Sequence, residues 1–190
     1  NGESCIEIPY ALTIESAAGP IAIANLNTAG TPVIVIAVST GAGSIELMQS
    51  VGDLTVAEAS TTDGSISVGT TAGTLTATSL TAGGSGDVVL TTLTSGDVLL
   101  DSVTALGDGI TIQSAGAIQE NGDDAAAELL AAELSLNAAT GIGGGAAGAL
   151  ETDAQSLSLD SAAGPIVVDS LNTAGTPVTV GSLTTGAGAI

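Results

Sequence analysis

The chain has 190 residues, 44% of them apolar, with 20 Asp plus Glu, no Lys, Arg or His, and a formal charge of −20. Without basic side chains it cannot neutralise phosphates, which excludes the usual route to nucleic acid and disfavours anionic membrane surfaces. Without His or Lys it also lacks any Ser/His/Asp, Cys/His or Lys-activated nucleophile. Phe and Trp are absent and Tyr10 is the single aromatic residue. A core of Val, Ile, Leu and Ala suits stacked layers in which the same small shape recurs.

In chain order, the sequence opens at Asn1 with neither Met nor a signal peptide, so either processing removed them or the sequence begins inside a larger protein. Cys5 is the single cysteine, which leaves no disulfide framework and no CxxC motif. It stands 145 residues before Leu150, and is expected to be a small buried apolar residue.

Residues 16–45 return as residues 161–190, at an offset of 145, with 20 of 30 positions identical and no gap. A unit of about 145 residues (16–160) thus begins to repeat at 161, which points to a tandem array.

A shorter period lies within the long one. A Gly or Pro turn is followed by apolar residues at alternate positions, as in Ile21/Ile23, Ile45/Leu47, Ile66/Val68, Val88/Leu90 and Ile110/Ile112. A second series interleaves: Leu12/Ile14, Val33/Val35, Leu54/Val56, Leu75/Ala77, Val98/Leu100, Ile118, Leu134/Leu136, Leu157/Leu159 and Val178/Val180. Alternation of period two predicts strands with one buried face. A third apolar position follows five residues after many starts: Leu26, Val38, Leu80, Leu93, Val103, Leu171 and Leu183. Gly-Asp and Asp-Gly pairs, such as Gly52-Asp53, Asp63-Gly64 and Gly96-Asp97, supply the turns. From Leu12 to Leu157 the second series takes seven steps over 145 residues, a mean of 20.7. The long repeat therefore reads as seven coils of about 21 residues, with the copy returning to the same place in the coil.

The constant interval and interchangeable core residues favour a parallel β-helix (β-solenoid) over a sandwich. The expected fold is all-β, one continuous solenoid over residues 1–190, rising about 4.8 Å per coil. One segment breaks the rhythm. Residues 121–134, NGDDAAAELLAAEL, are rich in helix formers, and Asp123 and Asp124 suit a first helical turn. A short helical excursion near 123–132 competes with a compressed coil, and continuity of the stack favours the coil. The longest apolar run, VIVIAV at residues 33–38, is far too short to span a bilayer.

Little in the sequence carries chemistry. Paired carboxylates can cleave glycosidic bonds, but the groups that bind and orient sugar are nearly absent, so no catalysis is expected. The GGxGxDxUx calcium-roll and EF-hand patterns are missing. Asp53 and Asp97 fall two layers apart, about 10 Å, too far to share one ion. The densest acidic cluster is Glu120, Asp123 and Asp124. These are weak candidates for a metal such as calcium, set against a solvated loop, and no cofactor is otherwise expected. Outward Thr and Ser recur at Thr13, Thr55, Thr76, Ser135, Ser158 and Thr179, but Ile34, Leu99 and Gln119 interrupt the column, so exposed-strand preference explains it better than ice binding.

The runs GDVVLTTLTSGDVLLDSVTALGDGITIQSAGAIQE (residues 86–120) and LSLNAATGIGGGAAGALETDAQSLSLDSAAGPIVV (134–168) resemble the repeat regions of very large bacterial surface proteins, the filamentous-haemagglutinin-like and autotransporter-adhesin class. The resemblance spans nearly the whole chain and rests on coil geometry. It implies an extended parallel β-helix, secreted and displayed at or beyond the cell surface. The expected function is a structural fibre, stalk or adhesin-shaft segment. The alternatives are a self-assembling subunit stacking end to end and a cation-, glycan- or ice-binding surface. The expected partners are further copies of the repeat, in the same chain or end to end, and solvent cations, without nucleic acid or membrane insertion.

Overall fold

The structure, a computed structural model, describes residues 12–27, 30–122, 124–187 and 189–190. Cys5, Tyr10 and Asp123 lie outside the described residues, and so do the expectations attached to them. The remainder is a parallel β-solenoid of fifteen strands in one continuous sheet.

Two columns of strands rise together. On side A, β1 (Leu12–Ala18), β3 (Val33–Ala42), β5 (Leu54–Asp63) and β7 (Leu75–Ala82) stack in parallel and continue onto the first half of β9 (Val98–Ser114). On side B, β2 (Ile21–Ile23), β4 (Ile45–Gln49), β6 (Ile66–Ala72) and β8 (Val88–Ser95) stack and continue onto the second half of β9. Above β9 come β10 (Ala117–Glu120), β11 (Leu129–Ala138), β12 (Gly141–Ile142), β13 (Leu150–Ser161), β14 (Val168–Ser170) and β15 (Thr179–Thr185).

The core is a set of vertical ladders. On side B, Ile45, Ile66, Val88, Ile110, Leu134 and Leu157 stack in register, each at most 5% exposed. On side A, Leu54, Leu75, Val98, Ile118 and Ile142 do the same. In-register stacking places one apolar side chain on another at the strand spacing, so β-branched and Leu residues fill the interior without aromatics.

The two sides differ in pattern. Side A buries positions i, i+2 and i+5, as in Leu54, Val56 and Ala59, whereas side B buries i, i+2 and i+4, as in Ile66, Val68 and Thr70. Leu93, expected as a third core position, is therefore 53% exposed, and Thr92 beside it turns inward. Inward hydroxyls at this level serve the corners: Thr92 donates to the Gly96 carbonyl at 2.9 Å, Thr40 to that of Gly19 at 2.9 Å and Ser161 to that of Gly164 at 3.0 Å.

Two sequence expectations are corrected. No helix occurs among the described residues. Residues 122 and 124–127 form no strand and make an irregular excursion, in which the Asp124 N–H donates to Glu120 Oε1 at 2.8 Å and the Ala126 N–H to Asp124 Oδ1 at 2.6 Å. Side-chain acceptors thus take backbone donors that a helix would use internally, and β11 begins at Leu129 because that residue stacks on Val103. Helix propensity loses to continuity of the ladder.

The second correction concerns the long repeat. Seven ladder steps lead from Ile21 to Val180, 159 residues in all, a mean of 22.7 per coil rather than 21. A 145-residue unit is then about six and a half coils. Ile21 stacks on Ile45 on side B, but its copy Ile166 stacks on Ile142 on side A. The two series exchange sides: Leu134 and Leu157 continue the ladder of Ile110. The copy lies half a turn around the coil.

Candidate functional site

The charged residues at the corners are structural. Asp53 Oδ1 accepts the Thr74 N–H at 2.8 Å, Asp87 Oδ1 the Gly109 N–H at 2.9 Å, and Asp97 Oδ1 the Ala117 N–H at 2.7 Å. Each carboxylate caps a backbone donor one coil above, where the corner interrupts the sheet ladder. This accounts for the recurrence of Gly-Asp turns, since a charge-assisted bond to a backbone N–H is stronger than a neutral one.

One acidic group is of another kind. The side-chain oxygens of Glu120, Glu128 and Glu151 lie within 4.8 Å of one another. Glu120 is 6% exposed and Glu128 1%, and Glu151 is half-buried. The coil geometry converges them. Glu120 ends β10 in register with Leu100, so it points into the core at a position that Val56, Ala77 and Leu100 hold in the coils below. Glu128 follows the excursion and directly precedes Leu129, which anchors β11. Glu151 stands 23 residues later, one coil above, and its N–H donates to Glu128 Oε2 at 2.7 Å. Glu151 Oε2 is buried with no hydrogen-bond partner among the described residues.

Three carboxylates crowded at one largely buried corner repel one another unless a counter-charge is present. The chain has no basic side chain to provide one, so only protons or dissolved cations can. Burial, then the charges of Glu120 and Glu151, push the Glu128 carboxyl up to about 7, against the opposing hydrogen bond from the Glu151 N–H. The same three oxygens could serve as part of the shell of a divalent ion, which takes six to eight oxygens at about 2.3–2.6 Å in the case of calcium.

Of the sequence candidates, the structure retains Glu120 as a member of this trio. Asp124 is exposed and serves the excursion backbone. Glu128 and Glu151 were missed. Two signals point to the trio: a Glu at the second apolar position of Ile118-Gln119-Glu120, and the one-coil spacing of 128 and 151. The outward Thr/Ser column is not one column. Ile34, Thr55, Thr76, Leu99 and Gln119 stack on side A, and Thr111, Ser135, Ser158 and Ser182 on side B.

No protein-family model, curated protein or solved structure matches the chain. The likeness to bacterial surface repeats therefore rests on the coil pattern alone.

Proposed function

We propose that the chain is a segment of a non-catalytic structural shaft, the stalk or stem of a surface-displayed fibre or adhesin of the filamentous-haemagglutinin-like or autotransporter class. The observation that supports this reading is the uniformity of the stack: ladders of interchangeable residues run through successive coils at a period of 20–24 residues. Such an array extends by adding coils, each stabilised by its neighbours, and that property suits a spacer. The uncompensated negative charge keeps such fibres apart in solution. The further partners are other coils of the same type and the cations of the medium.

The test is the mass of the protein isolated from its source under denaturing conditions, with protease accessibility on intact cells. A species many times 17.9 kDa, trimmed by external protease, is expected. A species near 17.9 kDa, or one protected until the cells are broken, would contradict the reading.

A further inference from the structure

Three pairs of Asp or Asn followed by Gly lie within the described residues: Asp63-Gly64, Asp108-Gly109 and Asn121-Gly122. At such a pair the backbone nitrogen of the glycine can attack the side-chain carbonyl before it, because glycine has no side chain to obstruct the ring that forms and reaches the conformation it needs. The attack requires that nitrogen to lose its proton, so a hydrogen bond that holds the N–H in the stack opposes it. The coils hold two of the three. The Gly64 N–H donates to the Gly83 carbonyl at 3.4 Å, and the Gly109 N–H to Asp87 Oδ1 at 2.9 Å. The Gly122 N–H has no hydrogen-bond partner among the described residues.

The surroundings separate the pairs in the same way. Asp63 and Asp108 belong to β5 and β9, whereas Asn121 stands one residue past β10. Asn121 and Gly122 are both exposed, and nothing lies within 4 Å of a Cβ built on Gly122. The Asn121 side chain is oriented: its N–H donates to the Leu100 carbonyl at 2.8 Å, and its Nδ2 to Asp101 Oδ2, one coil below, at 3.2 Å. The other described asparagines precede Leu26, Thr28, Ala138 and Thr173, whose side chains hinder ring closure.

We propose that Asn121-Gly122 is a self-modifying site, at which the folded solenoid converts its own asparagine to aspartate and isoaspartate. The deprotonated Gly122 nitrogen attacks Asn121 Cγ. A new N–Cγ bond closes a five-membered succinimide, and the Cγ–Nδ2 bond breaks to release ammonia, which carries away the proton. Water then opens the ring at one of its two carbonyls. Opening at the side-chain carbonyl gives aspartate; opening at the backbone carbonyl gives isoaspartate, with one more carbon in the main chain. Water is the only co-reactant. The product puts a carboxylate opposite Asp101 in place of a donor, and like charges directly opposite on paired strands are destabilising. No basic side chain of the chain can offset them.

The test incubates the folded protein, and the same protein in urea, at pH 8, and then cleaves after glutamate, which frees residues 121–128 as one peptide. A zero-time sample is the blank. Conversion at Asn121 reads as a gain of about 1 Da, and chromatography separates isoaspartate from aspartate. Asn121 is expected to convert in the folded protein within tenfold of its rate in urea, whereas folding is expected to slow isomerisation of Asp63 and Asp108 by more than tenfold. Gly122→Ala, which has room for its methyl group, is expected to slow conversion by tenfold or more. Folded protein that keeps the Asn121 amide while the urea sample loses it would overturn the proposal, as would equal conversion in parent and Gly122→Ala. For the product, Asn121→Asp is expected to melt below the parent at low salt and to approach it at high salt, where the charges are screened. Adding Asp101→Asn should restore the low-salt melt. A variant that melts with the parent at low salt would overturn the effect assigned to the new carboxylate.

Discussion

Glu120 pairs with Leu100 in the side A ladder, so a carboxylate occupies the place that a leucine holds one coil below. The ladder tolerates it because Glu128 and Glu151 gather at the same corner and share hydrogen bonds with the backbone of the excursion and of β13.

The trio makes stability depend on pH. The Glu128 carboxyl stands at about 7 in the folded chain, above its ordinary value of 4.5. Between those values the folded state binds more protons than the unfolded one, so this contribution is complete below about 4.5 and is lost as pH rises through about 7. Its size is on the order of 2–3 kcal/mol. Glu128→Gln keeps the shape and removes the charge. The melting temperature of the parent should fall from pH 5 to pH 8 relative to the variant, and the variant should be the more stable at pH 8. A difference that does not change with pH would contradict the assignment. If millimolar calcium at pH 8 restores the parent and leaves the variant unmoved, a cation rather than a proton balances the corner.

Val88 tests the side B ladder. It is fully buried between Ile66 and Ile110. Val88→Asp should cost more than about 3 kcal/mol, because no basic side chain exists to pair the new charge. Denaturant unfolding reads this directly, and unchanged stability would contradict the burial.

The glycine corners make a contrasting prediction. Gly73 has φ +134°, and a Cβ there would overlap the Gly52 carbonyl one coil below. Gly122, in the excursion, has open space around a built Cβ. Gly73→Ala should destabilise by at least about 2 kcal/mol, from backbone strain and from displacement of the layer beneath. Gly122→Ala should remain within about 0.5 kcal/mol of the parent. Thermal melts of the pair separate a stacked corner from a free loop.

Most of the fold is legible in the sequence because a solenoid writes its period directly: Ile66, Val88 and Ile110 are spaced by the length of a coil and stack as that spacing implies. The side on which a strand lies is less legible. Leu134 reads with the second series although it stands only 16 residues after Ile118, and the structure assigns it to the ladder of Ile110, 24 residues before it. Counting that short step as a whole coil is what makes the 145-residue repeat read as seven coils instead of about six and a half. The candidate site was legible only in part. Glu120 carries a local signal, an acid at an apolar phase, whereas Glu128 and Glu151 depend on where an excursion rejoins the stack. Ala-rich composition suggested a helix at that excursion, and the ladder contact of Leu129 with Val103 overrides it.

The stacked register is tested most directly by cross-linking the outward positions Ser67, Val89 and Thr111, which pair in successive coils. Adjacent coils place paired Cα atoms about 4.8 Å apart, within the reach of a disulfide, whereas two coils exceed the limit of about 7 Å. In a Cys5→Ser background, Ser67→Cys with Val89→Cys should oxidise fully under native conditions, and Ser67→Cys with Thr111→Cys should stay reduced. Failure of the first pair, or equal oxidation of the second, would contradict a solenoid of in-register coils.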